Sequence, residues 1–262
     1  MKSFIGNISW RAWHVWRRDR DAYMATWKTN FIPPLLEPIL YIFAFGAGLG
    51  AMIKGISYMG REVSYIVFIA PGLIAIDMMF QSFYENSYGS FVRMYYQKTF
   101  DAIIATPLTV EDVIAGELIW GATKSLVGSA IMLMVISAFG LATYPAALFI
   151  VPYSLIAGLL FASIAICFTA WVPSIDTFNL PVFLFITPMF LFSGTFFPVD
   201  LLPDWAQTVA LFLPLTHVVN FTRACTLGTF NPQVWAGLVG IAIAAVFFFF
   251  LGIYLMKRRL IR

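Results

Sequence analysis

Six stretches of mostly apolar residues, each about long enough to cross a lipid bilayer, leave this chain few ways to fold. A helix needs roughly 20 such residues to cross a hydrocarbon layer of about 30 Å. Five stretches reach that length without strain, at about 35–53, 64–84, 119–140, 145–171 and 233–256. Residues 178–198 are equally apolar but hold Pro181, Pro188 and Gly194. A membrane helix tolerates these as kinks where neighbours satisfy the freed carbonyls, so this stretch reads as a span as well, the fifth in chain order. Asp200, Pro203 and Asp204 then interrupt the apolar run, and Trp205 to Leu215 is too short to cross. That segment is expected to enter from one side and return.

The charge distribution agrees with a lipid environment. Only 11% of the 262 residues are charged, while 61% are hydrophobic, which leaves too little polar surface to cover a water-soluble globule. The net charge of +3 is small and most basic residues sit at the two chain ends, a pattern that orients membrane proteins and does not build a nucleic-acid groove. With both termini in the cytoplasm, twelve basic residues fall inside (Lys2, Arg11, Arg17, Arg18, Arg20, Lys28, Arg93, Lys98, Lys257, Arg258, Arg259 and Arg262). Three (Lys54, Arg61 and Arg223) fall outside, and Lys124 lies within the third span. The positive-inside rule favours this topology over its inverse.

No apolar run of leader length occupies the first thirty residues, so the first span is expected to be the targeting signal. Residues 4–28 mix Trp10, Trp13, Trp16 and aliphatic residues with arginines and aspartates, which suits a helix lying in the cytoplasmic headgroup layer. The organisation is therefore an interface helix over 1–30 and a transmembrane domain over 31–262.

Three catalytic look-alikes fail on chemistry. In GELIWGATKS, Ala122 stands where a phosphate-binding loop needs its lysine, directly after Gly121. His14 and Asp19 have the H-x4-D spacing of glycerolipid acyltransferases, but nothing later in the chain resembles that fold. Asn220-Phe-Thr222 is a glycosylation sequon in apolar surroundings. His14 and His217 belong to opposite sides, so no metal cluster is expected, and Cys167 and Cys225 are too far apart in the topology for a disulfide.

The informative segment is Gln97 to Glu117, QKTFDAIIATPLTVEDVIAGE. Asp101 to Ala105 reads as a short helix, Thr106-Pro107 breaks it, and Thr109 with Asp112 offers a capping box for the next helix. A short helix joined stiffly to two spans is suited to receiving a push.

That segment through Ser125, the stretch TPMFLFSGTFFPVDLLPDWAQTVALFLPLTHVVNFTRA and the terminal KRRLIR together resemble permeases of the ABC-2 type over essentially the whole chain. Within them the chain is similar to the nodulation-factor export subgroup. The resemblance implies an all-α integral membrane protein of six spans with a cytoplasmic coupling helix at about 99–112 and outer re-entrant helices at about 198–215. It implies contact with an ATPase through Phe100, Asp101, Thr106, Pro107, Leu108, Glu111 and Asp112. It also implies an outer gate of Phe196, Phe197, Pro198, Leu202, Pro203, Trp205, Pro214 and His217. The chain shows no P-loop or ATPase signature. ATP and Mg would therefore sit on two copies of a partner ATPase, this chain would bind no cofactor, and two copies of it would form the path as a C2 homodimer in the bacterial inner membrane.

Ionisable residues within spans are functional candidates. They are Glu37, Asp77, Glu85 and Lys124, with Glu85 and Lys124 at matching depth and able to pair. Pairing that positions the coupling helix is the favoured role, and contact with a substrate head group is the alternative. The expected cargo is an amphipathic lipo-oligosaccharide or lipid-linked glycan. A drug or small lipid is a second reading, and a membrane-bound acyltransferase or a secondary transporter a third.

Overall fold

A computed structural model describes residues 8–53 and 55–261. Lys2, Lys54 and Arg262 of the charge pattern, and the first residues of the interface helix, lie outside the described residues. Six helices are long and apolar enough to cross a membrane: Trp27–Met52 (α2), Tyr65–Tyr96 (α3), Val110–Ala138 (α5), Ala146–Trp171 (α6), Ile175–Phe192 (α7) and Pro232–Leu260 (α10). Ala12–Ala25 (α1) precedes them, Thr99–Ile104 (α4) links α3 to α5, and Asp204–Phe212 (α8) and Pro214–Leu227 (α9) lie between α7 and α10.

Sequence signals set the helix ends. Thr109 Oγ1 accepts from the Asp112 amide and Asp112 Oδ2 accepts from the Thr109 amide, each at 3.2 Å, so the expected capping box opens α5. Asn231 Oδ1 accepts from the Val234 amide at 2.9 Å ahead of Pro232 at the start of α10. The last turn of α10 carries Lys257, Arg258 and Arg259, where cations complement the helix dipole. Ile56–Tyr58 (β1) pairs antiparallel with Arg61–Val63 (β2) around Met59 and Gly60, which both take positive φ as a tight hairpin turn requires.

Several helices extend beyond the expected spans. The spans expected at 64–84 and 119–140 belong to longer helices, α3 running on to Tyr96 and α5 starting at Val110. The helices continue through polar sequence because those side chains satisfy one another inside the bundle. The fifth helix stops at Phe192 rather than 198, and the first begins at Trp27 rather than 35. The segment at 198–215, expected as re-entrant helices, holds α8 and the start of α9, and α9 runs on to Leu227. Arg223, counted as an outer-loop charge, is 2% exposed on α9. Cys167 and Cys225 are unpaired.

Two apolar cores result. One joins α3, α5, α6 and α9 around Ile69, Phe83, Phe161 and Val218. The other gathers Phe91, Phe100, Val113, Leu118, Phe178 and Met256 at the end of the bundle that carries α1 and α4. Glycines seat the helices closely: Gly121 lies against Asn86, Gly128 against Asp77 and Gly158 against Ser125, with no room for a Cβ at any of them. By contrast only 12% of the apolar window of α2 and 22% of that of α7 is buried, against 78% for α3.

Candidate functional site

Polar side chains converge where α1, α3 and α5 meet. Glu117 is fully buried and accepts from Arg93 Nε at 3.0 Å, from Ser90 Oγ at 2.6 Å and from Arg18 Nη2 at 3.2 Å. Arg93 Nη1 reaches Glu85 at 2.6 Å, and Glu85 also accepts from Lys124 Nζ at 2.9 Å and Trp120 Nε1 at 3.2 Å. The Glu85–Lys124 contact is the pair expected from their matching depth. Widened π-helical turns at Glu85–Gly89 and Val92–Tyr96 turn Glu85 and Arg93 toward this network. Asp19, on α1, is buried beside Arg18 and Arg93. Burial first, and the charge of Glu117 second, push its pKa up to about 7 while Arg93 and Arg18 pull it back. Sequence alone marks Asp19 only beside His14, and Arg18 and Arg93 only as orienting charges, without their convergence on Glu117. For Arg93 and Glu117 the signal is the polarity of α3 and α5 where they run past their apolar windows.

The network borders two cavities. One, of about 640 Å³, is lined by Tyr23, Asn30, Tyr88, Gln97, Trp120 and Asp19, among others. The other, of about 450 Å³, is lined by Glu37, Asp77, Phe80, Gln81 and Tyr84. Glu85, Gly89 and Lys124 line both, so together the cavities form one polar track from the α4 end toward the middle of the bundle. All four intramembrane polar residues expected from the sequence meet there. Glu37 accepts from Tyr41 Oη at 2.9 Å and Asp77 from Gln81 Nε2 at 3.2 Å. Aromatic faces, amides and carboxylates in one track suit a hydroxyl-rich head group.

The residues expected to contact an ATPase divide into two sets. Asp101 is exposed and lies 4.0 Å from Lys98, while Phe100 is fully buried and anchors α4. Thr106 Oγ1 donates to the Ile103 carbonyl at 2.6 Å, the Pro107 carbonyl accepts from Arg11 Nη1 at 2.7 Å, and Leu108 is half-buried. Glu111 and Asp112 are not exposed for a partner to reach. Both are buried in the first turn of α5, because they tie distant segments to it. Glu111 accepts from Lys257 Nζ at 2.5 Å, and Asp112 accepts from the Ser9 amide at 2.7 Å.

The expected outer-gate residues spread over the other end. The Phe196 ring lies 5.0 Å from Phe190 and 5.7 Å from Phe45 on α2. Trp205 is exposed and meets Phe192 edge-on at 5.9 Å. Phe197 is partly exposed, Pro198 is buried, Leu202 is half-buried, and Pro203 is exposed just before α8. Pro214 opens α9, and His217 Nε2 lies 2.9 Å from the Leu211 carbonyl, linking α8 to α9. His14 is exposed while Asp19, five residues on, is buried in the charge network, so the two do not form a catalytic pair. Among the described residues no group of His, Cys, Asp and Glu could hold a metal ion.

The family described as ABC-2 type transporter matches residues 11–227. The chain is 38% identical over 258 residues to nodulation protein J of Rhizobium leguminosarum bv. viciae, covering 98% of this chain and 97% of that protein. It is 37% identical over 265 residues to nodulation protein J of Rhizobium meliloti (strain 1021), covering 99% and 98%. It is 24% identical over 239 residues to the inner membrane transport permease YadH of Escherichia coli (strain K12), covering 90% of each.

Proposed function

The chain belongs to the ABC-2 type transporter family, and on that premise we propose that it is the permease subunit of an ATP-driven exporter of a lipo-oligosaccharide or lipid-linked glycan. Two copies would line the path in the bacterial inner membrane with both termini cytoplasmic. Two copies of a separate ATPase subunit would bind ATP and Mg.

The observation that carries this reading is the polar track that starts beside α4 and runs into the bundle, lined by Tyr23, Tyr84, Tyr88 and Trp120 together with carboxylates and amides. A sugar head group can stack on such rings and donate its hydroxyls to the acids, while its lipid tail stays in the bilayer. The mechanism is mechanical. A push on α4 reaches α5 through the Thr109–Asp112 cap, α1 through Ser9 and Arg11, and α10 through Lys257 and Glu111. Three helices thus respond to one contact. The exposed flanks of α2 and α7 are the surfaces left for a second copy and for lipid.

An exporter of a drug or small lipid is the second reading, which a track lined only by phenylalanine and leucine would have favoured. Proteoliposomes holding this chain with its ATPase partner decide between them. A fluorescent lipid-linked oligosaccharide should cross the membrane with ATP, and a lipid carrying the same tail but no sugar should not. ATP-dependent movement of the sugarless lipid alone would overturn the glycan reading.

A further inference from the structure

Arg223 has no place in the transport mechanism above. It is 2% exposed, and no carboxylate lies within ion-pair distance of it among the described residues. Its Nε donates to the Phe68 carbonyl at 3.3 Å, Nη2 to the carbonyls of Gly194 at 3.0 Å and Thr195 at 3.5 Å, and the guanidinium is also hydrogen-bonded to the Tyr58 side chain. The guanidinium carbon lies 3.9 Å from the Phe68 ring and 5.2 Å from that of Tyr58. Carbonyl dipoles and ring faces offset only part of the penalty for taking a cation out of water, and arginine does not escape it by losing its proton.

Arg223 also lines a cavity of about 250 Å³ at the end of the bundle away from α4, between the β1–β2 hairpin and the start of α10. Thr216 and Asn220 line the same cavity. Positions 216, 220 and 223 follow the i, i+4, i+7 spacing that puts three side chains on one face of α9. Thr216 is 2% exposed, and its Oγ1 is a buried hydroxyl that finds no hydrogen-bond partner among the described residues. Asp200, the one carboxylate among the lining residues, is exposed. A buried cation, an orphaned hydroxyl and an amide thus share one small cavity.

We propose that this cavity binds a phosphate oxyanion, with Arg223 supplying the charge and Thr216 and Asn220 supplying donors. The cavity has room for a tetrahedral oxyanion with accompanying water and is too small for an oligosaccharide. The proposal is independent of the transport reading, because it concerns a site that the isolated chain contains whatever it moves.

The test uses the full-length chain in dodecyl maltoside, a detergent without phosphate, with inorganic phosphate titrated against chloride at constant ionic strength. The melting temperature should rise with phosphate and saturate. Thr216→Val and Asn220→Leu each remove a donor to a charged group and should raise the half-saturating concentration about tenfold or more. Arg223→Met should abolish the response, and if that variant fails to fold, the other two still decide. A melting temperature that ignores phosphate, or a response unchanged in both donor variants, overturns the proposal. Adding phosphatidylglycerol identifies the source. If it reproduces the phosphate effect and removes the response to inorganic phosphate, the occupant is a lipid head group. If the response to inorganic phosphate persists, the occupant is a soluble oxyanion.

Discussion

Lys257, near the end of α10, donates to Glu111, in the first turn of α5 and 146 positions earlier. The pair clasps the last span to the segment that leads out of α4. Replacing Glu111 by Lys puts a like charge against Lys257 inside a buried site and should destabilise the protein by about 3–5 kcal/mol. Asp101→Lys, at an exposed position, should change stability by no more than about 0.5 kcal/mol. Melting curves in detergent check the contrast. Asp101→Lys is therefore the clean probe of ATPase docking, and the expected result is normal expression with weakened co-purification of the ATPase.

Gly116 is where α1 crosses α5. A Cβ built there would stand 2.5 Å from the Val15 Cβ and 2.7 Å from the Ala12 carbonyl oxygen. Gly116→Leu should push α1 off the bundle at a cost of about 1–3 kcal/mol, which exceeds the gain of about 1 kcal/mol from removing a helical glycine. Faster tryptic cleavage at Arg17 and Arg20, with α3 to α6 still protected, is the expected readout.

Asp19 gives a pH dependence whose sign follows from its raised pKa of about 7. Between pH 4 and 7 the folded chain keeps a proton that the unfolded chain has lost. Stability from this group is therefore complete at low pH and falls as pH rises through 7, by at most about 1.4 kcal/mol per pH unit. Asp19→Asn cannot ionise and should flatten that slope. Melting temperatures of both proteins between pH 5 and 8 check it, and parallel curves would assign the dependence to another group.

Sidedness is tested by single cysteines in a background where both native cysteines are replaced, Cys167→Ser and Cys225→Ala. Ser57→Cys and Leu201→Cys, both at exposed positions on the side of the β1–β2 hairpin, should react with an impermeant maleimide in intact cells. Asp101→Cys should react only after the membrane is opened. The reverse pattern would invert the topology.

The spans were legible because about twenty consecutive apolar residues have few uses other than crossing lipid. The capping box at Thr109 was legible because it is local, a matter of residues three apart. Helix lengths were misread because hydropathy scores Glu85, Asn86, Arg93 and Glu117 as breaks, whereas in the fold they bond one another across α3 and α5. The burial of Glu111 depends on Lys257, a partner that no window of sequence contains. Helix α9 carries local signals, Pro214 at its start and Gly228 with φ 68° after its end, but at fourteen residues it is too short to stand out by membrane-crossing length.

The glycine contacts at 121, 128 and 158 have a mechanical consequence. Sliding α3, α5 or α6 past one another by even one side chain would drive a methylene into backbone already at van der Waals distance. These three helices therefore form one block that moves or stays as a unit. A displacement of α4 carried into α5 would therefore move α3 and α6 with it, against α2 and α7, whose flanks carry few such locks.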